Sequence, residues 1–180
     1  MKKWGIAVLG CGGIADFHLR ALQEIEAAGV VGVFSRSEEK VRSVGEKYGC
    51  DWTTQAEALV ARADVEVVDV PTSSGSHYAL AKLALEHGKH VIVEKPITML
   101  PEQARELIAL AERRGVTLGV ISQRRFEAGV QAAKAAVDAG RLGKLLLVEA
   151  RTPFYRTQEY YDSAPWRGTL AEDGGAMMNQ

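Results

Sequence analysis

A charged pair ends an apolar run in the stretch VIVEKPIT, which covers residues 91–98. Glu94 and Lys95 can each bind or exchange a proton, and Pro96 directly after them stiffens the chain. As an exposed ion pair at a strand end, the two charges would contribute only about 0 to 1 kcal/mol to stability. Any chemical role of the pair therefore depends on the elements that place it.

A glycine-rich turn, GCGGIA, lies upstream, directly after the first apolar run and at the start of a helical pattern. Gly10 permits a tight turn, Gly12 lets the backbone approach a pyrophosphate, and Ala15 is small enough for helix and strand to pack. The N–H groups at the start of the helix can bind phosphate oxygen atoms. Glycine-rich turns also occur simply to reverse a chain, but here strand, turn, helix and second strand stand in the order that a dinucleotide site requires. We therefore predict that Gly10, Gly12, Gly13 and Ile14 bind a dinucleotide.

Short β-branched runs alternate with longer helix-like segments over the first part of the chain. Most of the runs are apolar throughout, which is typical of parallel strands covered by helices on both faces. The strands are predicted at 4–9, 30–35, 50–53, 65–70, 90–94 and 117–122, and the helices at 14–28, 37–48, 55–62, 77–87 and 101–114. This alternation predicts an α/β fold over residues 1–122, a doubly wound parallel sheet of the Rossmann type.

The pattern changes after Ser122. A helix is predicted over 127–139, and LLLVEAR at 145–151 would begin a strand that runs into an aromatic loop. No second series of alternating strands and helices follows. We therefore expect residues 123–180 to be the incomplete beginning of a second, α+β sheet domain.

The composition is that of an ordinary soluble globular protein, with 47% hydrophobic and 25% charged residues and a formal net charge of -1. No cluster of Lys and Arg marks a surface for nucleic acid or membrane, so a small molecule is the expected ligand. The apolar stretch from Trp4 to Leu9 is too short for a secretion signal. Cys11 and Cys50 have neither the number nor the spacing of a disulfide framework or a metal site. These features predict a cytoplasmic protein with no metal, nucleic-acid or membrane partner.

The end of the second predicted strand, FSRSEEK, bears on which dinucleotide would bind. An Asp or Glu at this point would bind the ribose 2′-hydroxyl of NAD. The chain has Ser35 and Arg36 there instead, a hydroxyl and a guanidinium that suit the 2′-phosphate of NADP. NADP is therefore favoured. NAD is the alternative if Arg36 is a solvated residue and Glu38 or Glu39 takes the ribose.

Three stretches together, GCGGIA, HYALAKLALEHGKHVIVEKPI and QRRFE, resemble the Gfo/Idh/MocA oxidoreductases. The resemblance covers essentially the whole chain, and its most specific element is Glu94-Lys95-Pro96. It implies an NAD(P)-dependent enzyme acting on a sugar or polyol, with an N-terminal Rossmann domain followed by a domain on a large open sheet. It also implies that a full-length chain continues well past residue 180 and forms a homo-oligomer through that sheet.

Lys95 is the predicted catalytic residue, in contact with both cofactor and substrate. Ligands of an open parallel sheet bind outside the carboxyl ends of the strands, so a residue just after the fifth strand would face the nicotinamide. Hydride transfer from a carbinol requires removal of the hydroxyl proton, and a lysine desolvated beside a cationic ring can accept that proton or hydrogen-bond the alkoxide. The resemblance implies that Glu94 contacts the nicotinamide side and that Pro96 follows a cis peptide bond. Because X-Pro bonds are cis in only about 5 to 6% of cases, the cis prediction rests on the resemblance.

The resemblance also extends to the loops around the expected site. Thr72, Ser73 and His77, in PTSSGSH after the fourth strand, match a loop that borders the cofactor, with Ser73 in place of the family's proline. His77 could equally stabilise the start of the next helix. Gln123, after the sixth strand, matches a polar residue at the nicotinamide, although a hinge residue would look the same.

The aromatic segment YYDSAPWRGT, residues 160–169, resembles a branch that includes sugar-nucleotide 3-dehydrogenases. By this resemblance Trp166 and Arg167 would close over the nicotinamide, and Tyr160 or Tyr161 would approach the sugar. Packing between domains is the alternative for these aromatic side chains. The expected substrate is therefore a sugar or a sugar nucleotide.

The end of the chain departs from the family pattern. The family's second acid–base group, a His four residues after an Asp, would align Asn179 with the Asp and place the His beyond Gln180. Asn cannot exchange a proton, so Asn179 and Gln180 are expected only to border the substrate. The resemblance therefore predicts that the 180-residue form binds cofactor but is inactive or barely active. A non-catalytic dinucleotide-binding sensor on the same fold is the rival function, and a catalytic role for Lys95 separates the two.

Overall fold

The computed structural model describes residues 2–175 and 178. The chain forms two compact units, the first made of residues 2–121 together with 166–175 and 178, and the second of residues 122–165. Among the described residues, no helix combines the length and the apolar character needed to span a bilayer.

The first unit alternates strands and helices in the predicted order. Its strands are β1 (Trp4–Leu9), β2 (Ala28–Phe34), β3 (Asp51–Thr53), β4 (Val67–Val70), β5 (His90–Val93) and β6 (Leu118–Val120). Its helices are α1 (Gly13–Glu24), α2 (Glu38–Tyr48), α3 (Ala56–Val60), α4 (Ser74–Glu86) and α5 (Pro101–Arg114). Each strand and helix predicted over residues 1–122 is present, with ends displaced by a few residues.

The strands of this unit form one sheet in the order β3-β2-β1-β4-β5-β6. All neighbouring strands are parallel. The chain winds outward from β1 in one direction through β2 and β3, and then in the other direction from β4. The carboxyl ends of β1 and β4 therefore flank a topological switch point, where open α/β sheets bind their ligands. The prediction of a doubly wound parallel sheet is confirmed.

Helices cover both faces of the sheet, which explains why its strands are apolar throughout. On one face, Leu19 of α1 and Val41 of α2 pack around Val33 of β2. On the other face, Leu85 of α4 and Leu107 of α5 belong to a second buried cluster with the strand residues of β4 and β5. The sheet is thus a fixed platform whose carboxyl edge carries the connecting loops.

Helix α4 begins at Ser74, three residues before the predicted start at 77. Ser73 is its N-cap residue, and His77, predicted as the first residue of the helix, lies three residues inside it. The loop after β4 is correspondingly shorter, since β4 ends at Val70. The earlier start of α4 determines which contacts the side chains of Ser73 and His77 can make.

The second unit contains a short 3₁₀ helix (Gln123–Phe126) and the helices α6 (Ala128–Asp138) and α7 (Gln158–Asp162). The strand predicted in LLLVEAR at 145–151 is wrong, because this segment has no regular secondary structure. Leu146 and Leu147 are 86% and 83% exposed. No described segment of this unit supplies a neighbouring strand, and a strand without a partner leaves its backbone hydrogen bonds unmade.

Candidate functional site

The glycine-rich turn connects β1 to α1 at the carboxyl edge of the sheet. The N–H of Gly10 donates a 2.9 Å hydrogen bond to the carbonyl oxygen of Phe34 at the end of β2. Gly10 has a φ of +149°, and a Cβ at this position would lie 3.1 Å from the carbonyl oxygen of Pro71 and 3.2 Å from Cγ2 of Thr72. Both the backbone angle and the crowding require glycine here, as the turn pattern predicted.

The start of α1 is open on the side of this turn. Gly12 is the N-cap residue, no side chain caps the helix, and Gly12, Gly13 and Ile14 are all exposed. A Cβ at Gly12 or Gly13 would meet no heavy atom within 4 Å. Ala15, by contrast, is completely buried against the sheet. The first N–H groups of α1 therefore face an open space in which a phosphate group could bind.

Thr72, in the loop after β4, lies across the turn from Gly10. Its methyl group packs against the Gly10 backbone, and its Oγ1 is buried without a hydrogen-bond partner among the described residues. A buried hydroxyl left without a partner costs about 1 to 3 kcal/mol, so such a group commonly marks a place where a ligand supplies the bond. The open helix start and this hydroxyl together fit a bound dinucleotide.

His77 holds the loop after β4 against the turn after β5. The ring is buried, with Nδ1 2.7 Å from the carbonyl oxygen of Pro96 and Nε2 3.1 Å from the carbonyl oxygen of Thr72. Both ring nitrogen atoms therefore face the backbone of the two loops. The direct contact between His77 and a nicotinamide stays a prediction.

The turn after β5 carries the charged pair Glu94 and Lys95. Glu94 is 5% exposed, and its Oε2 accepts a 3.0 Å hydrogen bond from the main-chain N–H of Lys95. The Lys95 side chain is half-buried, and the peptide bond between Lys95 and Pro96 is cis, which confirms that prediction. Glu94 is therefore no solvated strand-end charge but part of the packed sheet edge.

A histidine that the sequence analysis did not single out joins this turn to α1. In the His18 cluster, which consists of His18, Asp69 and Glu94, Nδ1 of the ring lies 2.8 Å from Oδ2 of Asp69. Nε2 of the same ring lies 3.2 Å from Oε1 of Glu94. The ring comes from α1, whereas the two carboxylates come from β4 and from the end of β5, and all three side chains are largely shielded from solvent.

The charges of the His18 cluster follow from these contacts. Burial would lower the pKa of His18, but the hydrogen bonds to Asp69 and Glu94 outweigh it and raise the pKa to about 9. Burial raises the pKa of Asp69 in spite of the neighbouring ring. For Glu94, burial opposes ionisation, yet the bonds from His18 and from the Lys95 N–H lower its pKa overall. At neutral pH a cationic ring therefore separates two acidic side chains.

One signal in the sequence could have revealed this cluster. Asp69 interrupts the apolar run VEVVDV, and a carboxylate inside a strand that is covered on both faces needs a partner. The sequence does not say which partner, because His18 lies 51 residues earlier and on a helix.

The residues expected to select the cofactor lie at the end of β2. Ser35 Oγ accepts a 3.3 Å hydrogen bond from the N–H of Ser37, and Arg36 is exposed. Glu38 lies in the first turn of α2 and forms an ion pair of 2.8 Å with Arg42, one turn further along. This carboxylate is thus already engaged within its own helix.

The segment 166–175 belongs to the first unit and is tied to α4. Ser73 Oγ donates a 2.8 Å hydrogen bond to Oε2 of Glu172, and the buried Asp173 accepts a 2.8 Å bond from the N–H of Gly168. The guanidinium of Arg167 lies 4.6 Å from the ring centre of Trp166. The structure therefore brings Trp166 and Arg167 into the same unit as the glycine-rich turn. The side chain of Ser73, which was predicted to border the cofactor, is bonded to Glu172.

Three other predicted site residues lie in the second unit. Gln123 is exposed in the 3₁₀ helix, while Tyr160 and Tyr161 in α7 form an edge-to-face pair with ring centres 5.3 Å apart. Their contacts with cofactor or sugar stay predictions. Asn179 and Gln180 lie outside the described residues. Within residues 2–175 and 178, no group of three His, Cys, Asp or Glu side chains is placed to hold a metal ion.

A parallel sheet with a glycine-rich turn at its switch point and an open helix start defines an NAD-binding Rossmann protein. The chain belongs to the Gfo/Idh/MocA oxidoreductase family. The family's NAD-binding Rossmann domain matches residues 4–122, and its C-terminal domain matches residues 130–180.

Relatives with named activities include a dTDP-sugar reductase, D-apiose dehydrogenases and a 1,5-anhydro-D-fructose reductase. The dTDP-3,4-didehydro-2,6-dideoxy-alpha-D-glucose 3-reductase of Streptomyces violaceoruber is 33% identical over 175 residues, which are 95% of this chain and 50% of the relative. The crystal structure of the WlbA dehydrogenase from Bordetella pertussis, in complex with NADH and UDP-GlcNAcA, has a TM-score of 0.95 and 31% identity, covering 100% of this chain and 54% of that one. KijD10, a 3-ketoreductase from Actinomadura kijaniata in complex with NADP and TDP-benzene, has a TM-score of 0.72 and 30% identity over 77% of this chain and 43% of its own. The chain spans about half the length of the relatives that it matches.

Proposed function

We propose that the chain is the cofactor-binding part of an NADP-preferring dehydrogenase or reductase acting on a secondary alcohol of a sugar or sugar nucleotide. One observation carries the proposal. The glycine-rich turn after β1 and the Glu94-Lys95 turn after β5 lie at the same edge of one parallel sheet. In such a sheet this edge is the ligand-binding edge, so a phosphate-binding turn and a proton-exchanging side chain serve one bound molecule.

In this proposal Lys95 exchanges the proton of the reacting hydroxyl group. The nicotinamide, when bound, supplies or accepts the hydride. The half-buried Lys95 side chain hydrogen-bonds the hydroxyl oxygen and takes its proton in the direction of oxidation, or returns it in the direction of reduction. His77 and Glu94 hold the backbone of the Lys95 turn, the first through Pro96 and the second through the Lys95 N–H.

The phosphate groups of the cofactor are proposed to bind at Gly10, Gly12, Gly13 and Ile14, with Thr72 as an additional hydrogen-bond donor. The open start of α1 and the unpartnered hydroxyl of Thr72 support this assignment. Trp166 and Arg167 are proposed to cover the nicotinamide, which their place in the first unit supports. Roles for Gln123 at the nicotinamide, and for Tyr160, Tyr161, Asn179 and Gln180 at the sugar, are proposed from the family resemblance alone.

A preference for NADP is proposed from the end of β2. Arg36 is exposed and next to Ser35, whereas Glu38 is engaged by Arg42 within α2. A guanidinium matches a phosphate dianion in charge and geometry. The NADP complex of KijD10 is compatible with this preference, while the NADH complex of the B. pertussis WlbA dehydrogenase makes NAD the alternative.

A sugar nucleotide is the proposed substrate class, because UDP-GlcNAcA is bound in the B. pertussis WlbA dehydrogenase and the S. violaceoruber relative is named for a dTDP-sugar. For the 180-residue polypeptide we propose cofactor binding with little or no turnover. We further propose a cytoplasmic location, supported by two free cysteines, and a homo-oligomer for a protein of the relatives' length.

Titration with NADPH and NADH tests the cofactor part of the proposal. Trp4, Trp52 and Trp166 report binding through fluorescence quenching and energy transfer to the reduced nicotinamide. We expect NADPH to bind about tenfold more tightly than NADH, the effect of one well-placed charged contact. Tighter binding of NADH would contradict the NADP preference, and no binding of either would contradict the proposed function.

The catalytic part is tested by Lys95→Met in a protein extended to the length of the relatives. We expect kcat for oxidation or reduction of the sugar nucleotide to fall by about a hundredfold or more, as for loss of a general base, with less than about a threefold change in the Kd for NADPH. Lys134→Met, an exposed charge on α6, is the control and should leave kcat unchanged. Equal activity of Lys95→Met and the parent would contradict the catalytic assignment of Lys95. An extended parent that binds NADPH but does not turn over a sugar nucleotide would point to a sensor.

A further inference from the structure

The His18 cluster is a buried charged group to which the proposed function assigns no role. Asp69 and Glu94 are 2% and 5% exposed, and the His18 ring fills the space between them. A buried ionic group without a role is costly to keep, because its members lose their hydration. Its connections show what it holds in place.

While both carboxylates are ionised, the geometry requires that both nitrogen atoms of the ring donate hydrogen bonds. Each nitrogen faces a carboxylate oxygen, 2.8 Å away at Asp69 and 3.2 Å away at Glu94, and an ionised carboxylate can only accept. A neutral ring would point one lone pair at one of these oxygen atoms. The doubly protonated ring is therefore the form that binds both partners, and it ties α1 to β4 and to the end of β5.

The two oxygen atoms of Glu94 have separate partners. Oε1 accepts from His18, and Oε2 accepts from the main-chain N–H of Lys95 at 3.0 Å. Rotation of the Glu94 side chain would break both bonds at once. The orientation that His18 imposes on the carboxylate is therefore also the orientation that fixes the backbone of Lys95.

We propose that His18 is a positioning residue, which locks the Glu94 carboxylate and through it sets the backbone of Lys95 relative to the phosphate-binding start of α1. The inference rests on the proposed function, in which Lys95 contacts the reacting atoms. In this proposal His18 acts through Glu94 and not on the cofactor or the substrate itself. It connects the helix that binds the phosphates to the turn that carries the base.

Three variants of the 180-residue chain test this link. In His18→Gln the amide can donate to Glu94, but its oxygen then faces the carboxylate of Asp69. In the double variant His18→Gln, Asp69→Asn, the new Asn amide can donate to that oxygen, so an uncharged bridge with the same connections is restored. His87→Gln is the matched control, because His87 is exposed at the end of α4 and its ring lies 2.9 Å from the Leu83 carbonyl oxygen of the same helix.

The main readout is the Lys95 amide in ¹⁵N–¹H spectra, because a general loss of stability would affect many core amides and not this one in particular. In His18→Gln we expect hydrogen exchange at Lys95 to be about tenfold faster, as for one lost hydrogen bond, with an upfield shift of its proton. The double variant should restore the exchange rate to within about twofold of the parent, and His87→Gln should not alter it. NADPH affinity should follow the same order, about three- to tenfold weaker in His18→Gln only.

Unchanged exchange at Lys95 in His18→Gln would overturn the inference. If His18→Gln does not fold, the double variant decides: parent-like exchange at Lys95 supports the link, and fast exchange at Lys95 in a folded double variant overturns it. Failure of the parent chain to bind NADPH or NADH would instead refute the proposed function. The exchange rates would still test the connection between His18 and Lys95.

Discussion

Nδ1 of His18 lies 2.8 Å from Oδ2 of Asp69, which places a cationic ring of α1 directly against a carboxylate buried in β4. The same ring reaches Glu94 on its other side, at 3.2 Å. Burial opposes the charge on the ring, but the two acidic partners outweigh burial and raise the pKa of His18 to about 9. The charge state of one helix residue is therefore coupled to the stability of the sheet edge.

This coupling predicts a pH-dependent stability. Because the pKa of His18 is higher in the folded chain than its ordinary value, the ring stabilises the fold fully below about pH 6.5, and this contribution is lost as pH rises through about 9. The loss should amount to at most about 3 kcal/mol of the free energy of unfolding. Urea unfolding at several pH values between about 6 and 9.5 measures it. The double variant His18→Gln, Asp69→Asn should show a smaller decline, since burial also raises the pKa values of Cys11 and Cys50 in both proteins, and an identical decline in both proteins would contradict the prediction.

Two glycines of the glycine-rich turn should respond differently to alanine. Gly10→Ala forces a side chain onto a φ of +149° and to 3.1 Å from the Pro71 carbonyl oxygen, so we expect a loss of about 1 to 3 kcal/mol in stability together with weaker NADPH binding. Gly12→Ala meets no heavy atom within 4 Å and has an ordinary φ of -87°, so its stability should change by less than about 1 kcal/mol.

The Gly12→Ala methyl group would, however, enter the space proposed for the pyrophosphate. NADPH binding by this variant should therefore fall by about tenfold or more although the fold is intact. Urea unfolding and fluorescence titration of both variants provide the two measurements. NADPH binding by Gly12→Ala at the affinity of the parent would show that the phosphates do not bind at this turn.

Two glycines that are paired across β1 and β2 form a second matched test, of packing alone. Gly5 and Gly29 lie opposite each other in the sheet. A Cβ at Gly5 would lie 1.8 Å from the carbonyl oxygen of Asp64, whereas the nearest atom to a Cβ at Gly29 is 3.8 Å away. Gly5→Ala should therefore lower the free energy of unfolding by about 3 kcal/mol or more, and Gly29→Ala should change it by less than about 1 kcal/mol. Similar urea midpoints for the two variants would contradict the described approach of Asp64 to β1.

The proposed NADP preference depends on one exposed side chain. Arg36→Ala should weaken NADPH binding about tenfold and leave NADH binding nearly unchanged, because only the 2′-phosphate distinguishes the two molecules. Arg105→Ala, an exposed arginine on α5, is the control and should alter neither affinity. Parallel fluorescence titrations give both dissociation constants, and an equal loss of NADH affinity in Arg36→Ala would argue against a 2′-phosphate contact.

The order of the elements could be read from the sequence because it depends on local patterns. Apolar β-branched runs, the helical segments between them and the GCGGIA turn each carry their own signal over a few residues. The strand predicted in LLLVEAR is wrong because that prediction also rested on a local pattern alone. A strand-forming composition describes a local preference, but a strand also needs a partner, and no described segment of the second unit provides one.

The candidate site likewise combines features that the sequence predicts with contacts that only the tertiary structure shows. The sequence by itself determined that Gly10 opens a glycine-rich turn between a strand and a helix and that Lys95 follows the fifth strand, because turn chemistry and chain order are local properties. Only the tertiary structure decided that His18 reaches Glu94, which is 76 residues away, and that Ser73 binds Glu172. Contacts between distant segments depend on how helices pack on the sheet. A carboxylate such as Asp69 inside an apolar strand indicates that a partner is needed. The packing of α1 on the sheet brings His18 to it.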